Sequence, residues 1–242
     1  MTRVLLAVAL ALCLTGLVRA DDPTPAVKET VVAGPLDVTL KVRMEGPYTA
    51  DVPLQVVCYF KYTADGAKKM TGAPVELDKH LGGVIASLRE RGEFVGDELE
   101  TLVITPPDGS IKAKALLLVG LGDESKLSLD TMERVGKVTL REAARLGAKK
   151  VAFAPLLRDQ GNSTLKTGDV EVAVVRGVLL AYDTDRRMQK EKLAKGYTLS
   201  EWWVEAGPAY FDETSTGVKA AAADATDRIK ARGAKAYFSE KK

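Results

Sequence analysis

The chain has 242 residues, 46% of them hydrophobic, which is enough to bury one sizeable core and excludes a chain disordered throughout. Its 35 basic and 33 acidic residues leave a formal charge of +2, so no net field draws it to nucleic acid, and no nucleic-acid partner is expected. The first twenty residues, MTRVLLAVALALCLTGLVRA, place Arg3 before an apolar run from Val4 to Leu14 and end in Val18-Arg19-Ala20, a small-x-small cleavage pattern. That is the layout of a signal peptide cut after Ala20, which predicts a secreted or periplasmic protein with no stable membrane anchor after cleavage. Leu12 is bulky where lipoprotein processing at Cys13 needs a small residue, so no lipid anchor is expected. Cleavage leaves Cys58 as the only cysteine, without an intramolecular disulfide partner.

Residues 21–35 read as a Pro-rich leader and residues 36–242 as a single α/β domain. LDVTLKVRM, from Leu36, alternates apolar and polar residues with the period of a half-buried strand. LQVVCYF, from Leu54, is continuously apolar, as in a central strand covered on both faces, and makes Cys58 a buried small hydrophobe. Over residues 75–91, Leu77, Leu81, Val84, Ile85 and Leu88 recur at helical spacing and predict one amphipathic helix. ELETLVIT and KAKALLLVGLG are two strands joined through the turn signal PPDGS. A helix then opens with Ser128 as N-cap, carries Met132, Val135, Thr139 and Ala143 on one side, and stops at Gly147. KKVAFAP is a short buried strand. TGDVEVAVVRGVLLAYD is rich in β-branched residues but keeps Val170, Val174, Gly177, Val178 and Ala181 at helical spacing, which predicts a helix capped by Asp169. LSEWWVEAG supplies a last strand, with one tryptophan in the core and the other on an exposed face or under the final, alanine-rich helix. Strands alternating with helices give a layered α/β sheet.

Few residues carry chemistry. His80, beside Asp78 and Lys79, lacks a positioned partner and reads as a surface or capping residue. No serine stands in a Gly-x-Ser-x-Gly elbow. The stretch ALLLVGLGDESKLSLDTMERVG runs from strand through Gly120 and Gly122 into a helix, as many phosphate loops do, yet it lacks both the third glycine of a dinucleotide fingerprint and a Gly-Lys-Ser/Thr ending. It reads as a tight connector. No catalytic or metal-binding residue is assigned, and no cofactor.

Three runs carry a resemblance: LDKHLGGVIASLRERGEFVGDELETLVI, then IKAKALLLVGLGDESKLSLDTMERVGKVTLREAARLGAKKVAFAP, then VRGVLLAYDTDRRMQK. In this order they resemble the N-terminal domain of the leucine aminopeptidase (cytosol aminopeptidase) family, with Thr184 where an aromatic is common. The resemblance implies a three-layer α/β/α macro-like domain with a mixed, mostly parallel central sheet. It also implies that peptide cleavage, and two divalent metals such as zinc or manganese, belong to a separate C-terminal domain with an Asn-Thr-Asp-Ala-Glu-Gly-Arg-Leu run, which this sequence lacks. The expectation is therefore an exported, non-catalytic copy of the N-terminal domain with a binding, assembly or regulatory role, through a protein partner or a homo-oligomer. One alternative is metal-dependent leucyl aminopeptidase activity with a catalytic partner chain. Another is a nucleotide-like ligand in a macro-type crevice, with Asp78, Gly82, Gly83, Gly120 and Gly122 as ligand-loop candidates.

Overall fold

The computed structural model describes residues 27–233, so the segment read as a signal peptide lies outside the described residues. Seven strands form one mixed sheet: β1 (Glu29–Ala33), β2 (Thr39–Arg43), β3 (Leu54–Tyr59), β4 (Thr101–Ile104), β5 (Ala115–Gly120), β6 (Lys150–Ala154) and β7 (Glu201–Glu205). Their spatial order is β1-β2-β7-β6-β3-β5-β4. The five inner strands are parallel, and each edge is closed by an antiparallel partner, β1 on β2 and β4 on β5. The helices are α1 (Ala64–Lys69), α2 (Ala73–His80), α3 (Val84–Glu90), α4 (Leu129–Leu146), α5 (Thr167–Lys190) and α6 (Phe211–Ala231).

The period-2 alternation of side chains divides the core into two layers. Leu54, Val56 and Cys58 of β3 point toward α4, α5 and α6, while Val57 and Tyr59 meet α2 and α3. β5 does the same with Leu117 and Val119 against Leu116 and Leu118. A strand buried on both faces needs the continuous apolar run that LQVVCY and ALLLVG supply.

Helix ends follow their caps. Ser128 Oγ accepts from the Thr131 amide at 3.1 Å, and Gly147 closes α4 in the left-handed conformation at φ +69°. The strand-or-helix ambiguity of residues 167–190 resolves as helix, with Val170, Val174, Val175 and Val178 of α5 buried by the sheet and neighbouring helices. Its first turn is closed from outside rather than by Asp169: Glu213 of α6 accepts from the Gly168 amide at 2.9 Å, and Lys166 is the N-cap residue.

Three further expectations are corrected. The sheet begins inside the segment read as leader, because Glu29–Ala33 pairs with β2 as an edge strand, its mixed exposure hiding it among polar neighbours. The predicted helix over residues 75–91 is two helices, broken where Gly82 and Gly83 take φ +69° and +85°. Trp202 and Trp203 do face opposite sides of the sheet, but both are buried. Trp203 sits on Ala50, Val52 and Ala152 with the Arg43 guanidinium 4.2 Å from its ring centre, so a cation covers the face that was expected to meet solvent.

α4 and α5 cross backbone against backbone. A Cβ on Gly177 would fall well inside the van der Waals radius of the Glu133 carbonyl oxygen, and one on Gly136 would strike the Val174 carbonyl. Neither obstacle is a side chain that can swing away. Gly177→Ala is accordingly expected to lower stability by ~1–3 kcal/mol through overpacking, even though alanine is the better helix former. Gly136→Ala added to it should cost less than the sum of the single changes, because helices already pushed apart accept the second methyl. Urea denaturation of the two single variants and the double variant checks both statements.

Candidate functional site

The parallel strands β2, β6 and β7 end on the same edge of the sheet, and the segments that leave them surround an open crevice of about 540 Å³. Residues 44–47 follow β2, residues 155–159 follow β6 and residues 206–210 follow β7. The start of α5 closes the crevice with Thr167, Val170 and Glu171. The carboxyl ends of parallel strands are the usual place for ligands in open α/β sheets, since the connections diverge there.

The walls are mainly apolar, from Leu156, Leu157, Leu165, Val170, Pro208 and Tyr210. Four acids interrupt them: Glu45, Asp159, Glu171 and Glu205. Glu171 is only 1% exposed, and its Oε2 has no hydrogen-bond partner among the described residues. Burial pushes its carboxyl up to about 8, so the acid is protonated at neutral pH. Glu205 is 8% exposed. Its Oε2 accepts from Gln55 Nε2 at 2.9 Å, while its Oε1 has no partner among the described residues. Burial and the neighbouring Glu45 raise it well above the usual carboxylate range, against the opposing effects of Gln55 and Arg43. Glu45 lies 2.9 Å from Arg43 Nε, and burial still raises it. The Arg158 guanidinium also reaches the crevice, but it donates to the Asn162 and Leu165 carbonyls and to Thr167 Oγ1. Its charge is engaged in holding the loop.

That loop is itself constrained. Leu156 takes φ +56°, a conformation that costs a branched residue of order 1–3 kcal/mol. Gln160 holds the loop to the end of β3, its side chain accepting from the Phe60 amide at 3.0 Å and donating to the Cys58 and Leu156 carbonyls at 3.0 and 3.1 Å.

The five ligand-loop candidates lie elsewhere and are engaged within the protein. Asp78 Oδ1 accepts from the Ile85 and Ala86 amides at 2.7 and 3.3 Å and so caps α3, while the Gly82 and Gly83 amides bond back to the Lys79 and Asp78 carbonyls. At the end of β5 the amides of Gly120, Leu121 and Gly122 donate to the carbonyls of Glu100, Tyr59 and Gly96. A phosphate loop needs such amides free. A Cβ on Gly120 would strike the Asp97 carbonyl, and Gly122 has φ +72°, so a tight approach accounts for the first glycine and backbone sign for the second. None of the five lines the crevice. Two other candidates of the sequence are also placed: His80 ends α2, exposed and stacked on Tyr48 at 4.7 Å, and Cys58 is fully buried, with its thiol pushed up by burial.

The glutamates of the crevice were missed, although signals existed. Glu171 stands on the same helical face as the buried Val174, Val175 and Val178, and Glu205 falls two residues after Trp203 on one side of β7. An acid on a core-facing stripe is the pattern to have flagged.

Comparison with known proteins places this geometry among relatives. The family described as the cytosol aminopeptidase family, N-terminal domain, matches residues 56–192. The chain is 33% identical over 143 residues to a probable cytosol aminopeptidase of Alkaliphilus oremlandii, an alignment that covers 57% of this chain and 28% of that protein. It is 29% identical over 134 residues to one of Thermosynechococcus vestitus, covering 55% and 26%. It therefore spans less than a third of the length of these relatives. Among solved structures, a tomato leucine aminopeptidase mutant superposes with a TM-score of 0.59 at 18% identity, over 79% of this chain and 37% of that one. A macrodomain of Oceanobacillus iheyensis with ADP gives 0.52 at 11% identity, over 81% and 96%. At such identities the likeness is one of fold, and it bears out the macro-like α/β sheet.

Glu171 has a consequence for stability. In the unfolded chain its carboxyl ionises near 4.5, whereas in the folded chain it keeps its proton to about 8. Between these values the unfolded state releases a proton that the folded state holds, so the folded state loses up to ~1.4 kcal/mol per pH unit as pH rises. Glu171→Gln has no such proton. Its stability advantage over the parent should be smallest below pH 4.5, widen up to about pH 8 and then level off. Urea midpoints taken across that range measure the difference, and a constant gap would contradict the buried, protonated acid.

Proposed function

The chain belongs to the cytosol aminopeptidase family through its N-terminal domain, and on that premise we propose that it is a ligand-binding domain whose own residues bind and position rather than catalyse. The observation that carries this reading is the apolar crevice of about 540 Å³ at the carboxyl ends of β2, β6 and β7, of a size suited to a small molecule or a short peptide end. The strained Leu156 and the unpartnered carboxyl of Glu171 support it, because both are costs that packing alone does not require. In this reading the bound molecule serves a binding, assembly or regulatory role. We further propose that residues 1–20 export the chain and are removed after Ala20. N-terminal sequencing of exported protein decides that point.

A second reading, metal-dependent leucyl aminopeptidase activity, is favoured by the names of the curated relatives. Among the described residues, no group of three or more His, Cys, Asp or Glu side chains gathers in a way that would hold a metal. The two divalent metals of that chemistry have no fitting site in the described fold. The activity therefore needs ligands from beyond it or from a partner chain.

The crevice reading is tested with Ala209→Trp, which plugs the mouth from an exposed position and leaves the core intact. Thermal melts with a panel of small amines, acids, peptides and nucleotides should find stabilisers of the parent that no longer act on the variant, while the melting temperatures without additive agree. Stabilisation that survives the plug places binding elsewhere. Leucyl amide hydrolysis that stays with the chain through stringent purification, dependent on added zinc or manganese, would favour the second reading instead.

A further inference from the structure

Among the described residues, one cation is buried without an anion. Arg89 of α3 is 4% exposed, and its guanidinium lies 4.7 Å from the Tyr59 ring centre and 5.6 Å from that of Tyr62. Its Nη2 donates to the Phe60 carbonyl at 3.0 Å, while Nε and Nη1 meet no acceptor among the described residues. Glu100, an acid near enough to favour its charge, already accepts from the Gly96 and Asp97 amides. Arginine keeps its proton in proteins, so the positive charge persists, and the aromatic faces offset only part of its lost hydration. A buried charge left unpaired is costly, and the partner missing here is an anion.

Arg89 borders a cleft of about 280 Å³ at the carboxyl end of β3, lined also by Phe60, Lys61, Tyr62, Thr63 and Gln160. This cleft shares no lining residue with the crevice at β2, β6 and β7. The other charges around it are engaged: Lys61 with Asp97 at 2.8 Å, Asp123 with Lys126 at 3.1 Å, and Glu124 with Asn162 at 3.3 Å. Asp123 and Glu124 stand exposed on the rim, where water and salt screen them. Nε and Nη1 are closed to solvent, so an anion reaches them only when their cover moves. The Lys61 and Tyr62 amides are fixed to the Gly122 and Val95 carbonyls, but the Tyr62 side chain is half-buried, and α1, which follows it, buries none of its residues. A segment with so little buried surface opens at low cost.

We propose that this cleft takes a small oxyanion, a carboxylate or a phosphate group, on Arg89, with the Tyr62 ring and α1 as the cover that moves aside to admit it. The site goes beyond the crevice reading and stands independently of it. The resulting pair is charge-assisted and forms away from bulk water, where such pairs gain most over neutral hydrogen bonds.

Arginine side-chain NMR on the nitrogen-15-labelled whole chain tests the site, with inorganic phosphate and acetate as probes and sodium chloride of equal ionic strength as control. The Arg89 Nε resonance is assigned by its loss in Arg89→Gln. It is expected to shift on titration with phosphate, with acetate or with both, and to stay in place with chloride; the probe that moves it names the class of anion. The same probe should raise the melting temperature of the parent and leave that of Arg89→Gln unchanged. Tyr62→Ala should bind the probe at least ~3-fold tighter, since opening the cover no longer opposes binding. An Arg89 resonance that neither probe moves overturns the proposal, as does a thermal rise that persists in Arg89→Gln. Binding that is unchanged or weaker in Tyr62→Ala overturns it too. If Arg89→Gln does not fold, the resonance is assigned through its bonded carbons, and titrations of the parent and of Tyr62→Ala decide.

Discussion

Two helix backbones in near contact set the geometry on which the rest depends. Gly136 and Gly177 let α4 and α5 approach until the Val174 and Glu133 carbonyls fill the space where their Cβ atoms would stand, and Gly217 of α6 meets the Gly168 carbonyl of α5 in the same way. Three helices are thereby drawn tightly onto one face of the sheet, with α5 in the middle. Fewer than two turns before Gly177, the start of α5 delivers Glu171 to the carboxyl ends of β6 and β7. Loosely packed helices would let that acid swing to solvent. Tight ones hold it where water does not reach.

Several costs in this fold meet at one edge, although Leu36, Asp37, Leu99 and Lys192 also take left-handed backbone and Tyr59, Arg89 and Trp202 also bury polar atoms without partners among the described residues. A buried acid without a partner, a second acid satisfied on one oxygen, and a leucine in the left-handed region all lie around the same opening. In several other places the sequence agrees with its structure: β5, buried on both faces, is apolar throughout, α4 has its serine cap and glycine stop, and the connectors that break α2 from α3 and leave β5 use glycine where φ or close approach demands it. Of these departures, the ones around the opening share a single concave space, and that is what marks it as a site. The two glycine-rich turns that attract attention in the sequence show no such cluster, since their amides are spent within the protein.

Much of the fold was legible because its signals are local. The continuous apolar run around Cys58, the helical spacing of Val170, Val174 and Val178, and the cap and stop of α4 each need only a few neighbouring residues. What was not legible depends on distant partners. β1 is a strand only because β2 offers it a ladder, and Trp203 is buried only because Ala50, Val52 and Ala152 converge on it. The site belongs to the second kind. Its acids come from residues 45, 159, 171 and 205, and nothing but the parallel order β2-β7-β6 brings those segments together. The signs of Glu171 and Glu205 on buried faces were local, yet their meaning was not.

The central claim is that Glu171 is held in the crevice as a protonated acid by the packing of α5. Side-chain carboxyl NMR on carbon-13 glutamate-labelled protein tests it directly, with the Glu171 resonance assigned by its loss in Glu171→Gln. The account predicts a titration midpoint near 8 for that resonance in the folded chain without ligand. A midpoint near 4.5, the ordinary value for a solvated glutamate, would contradict it.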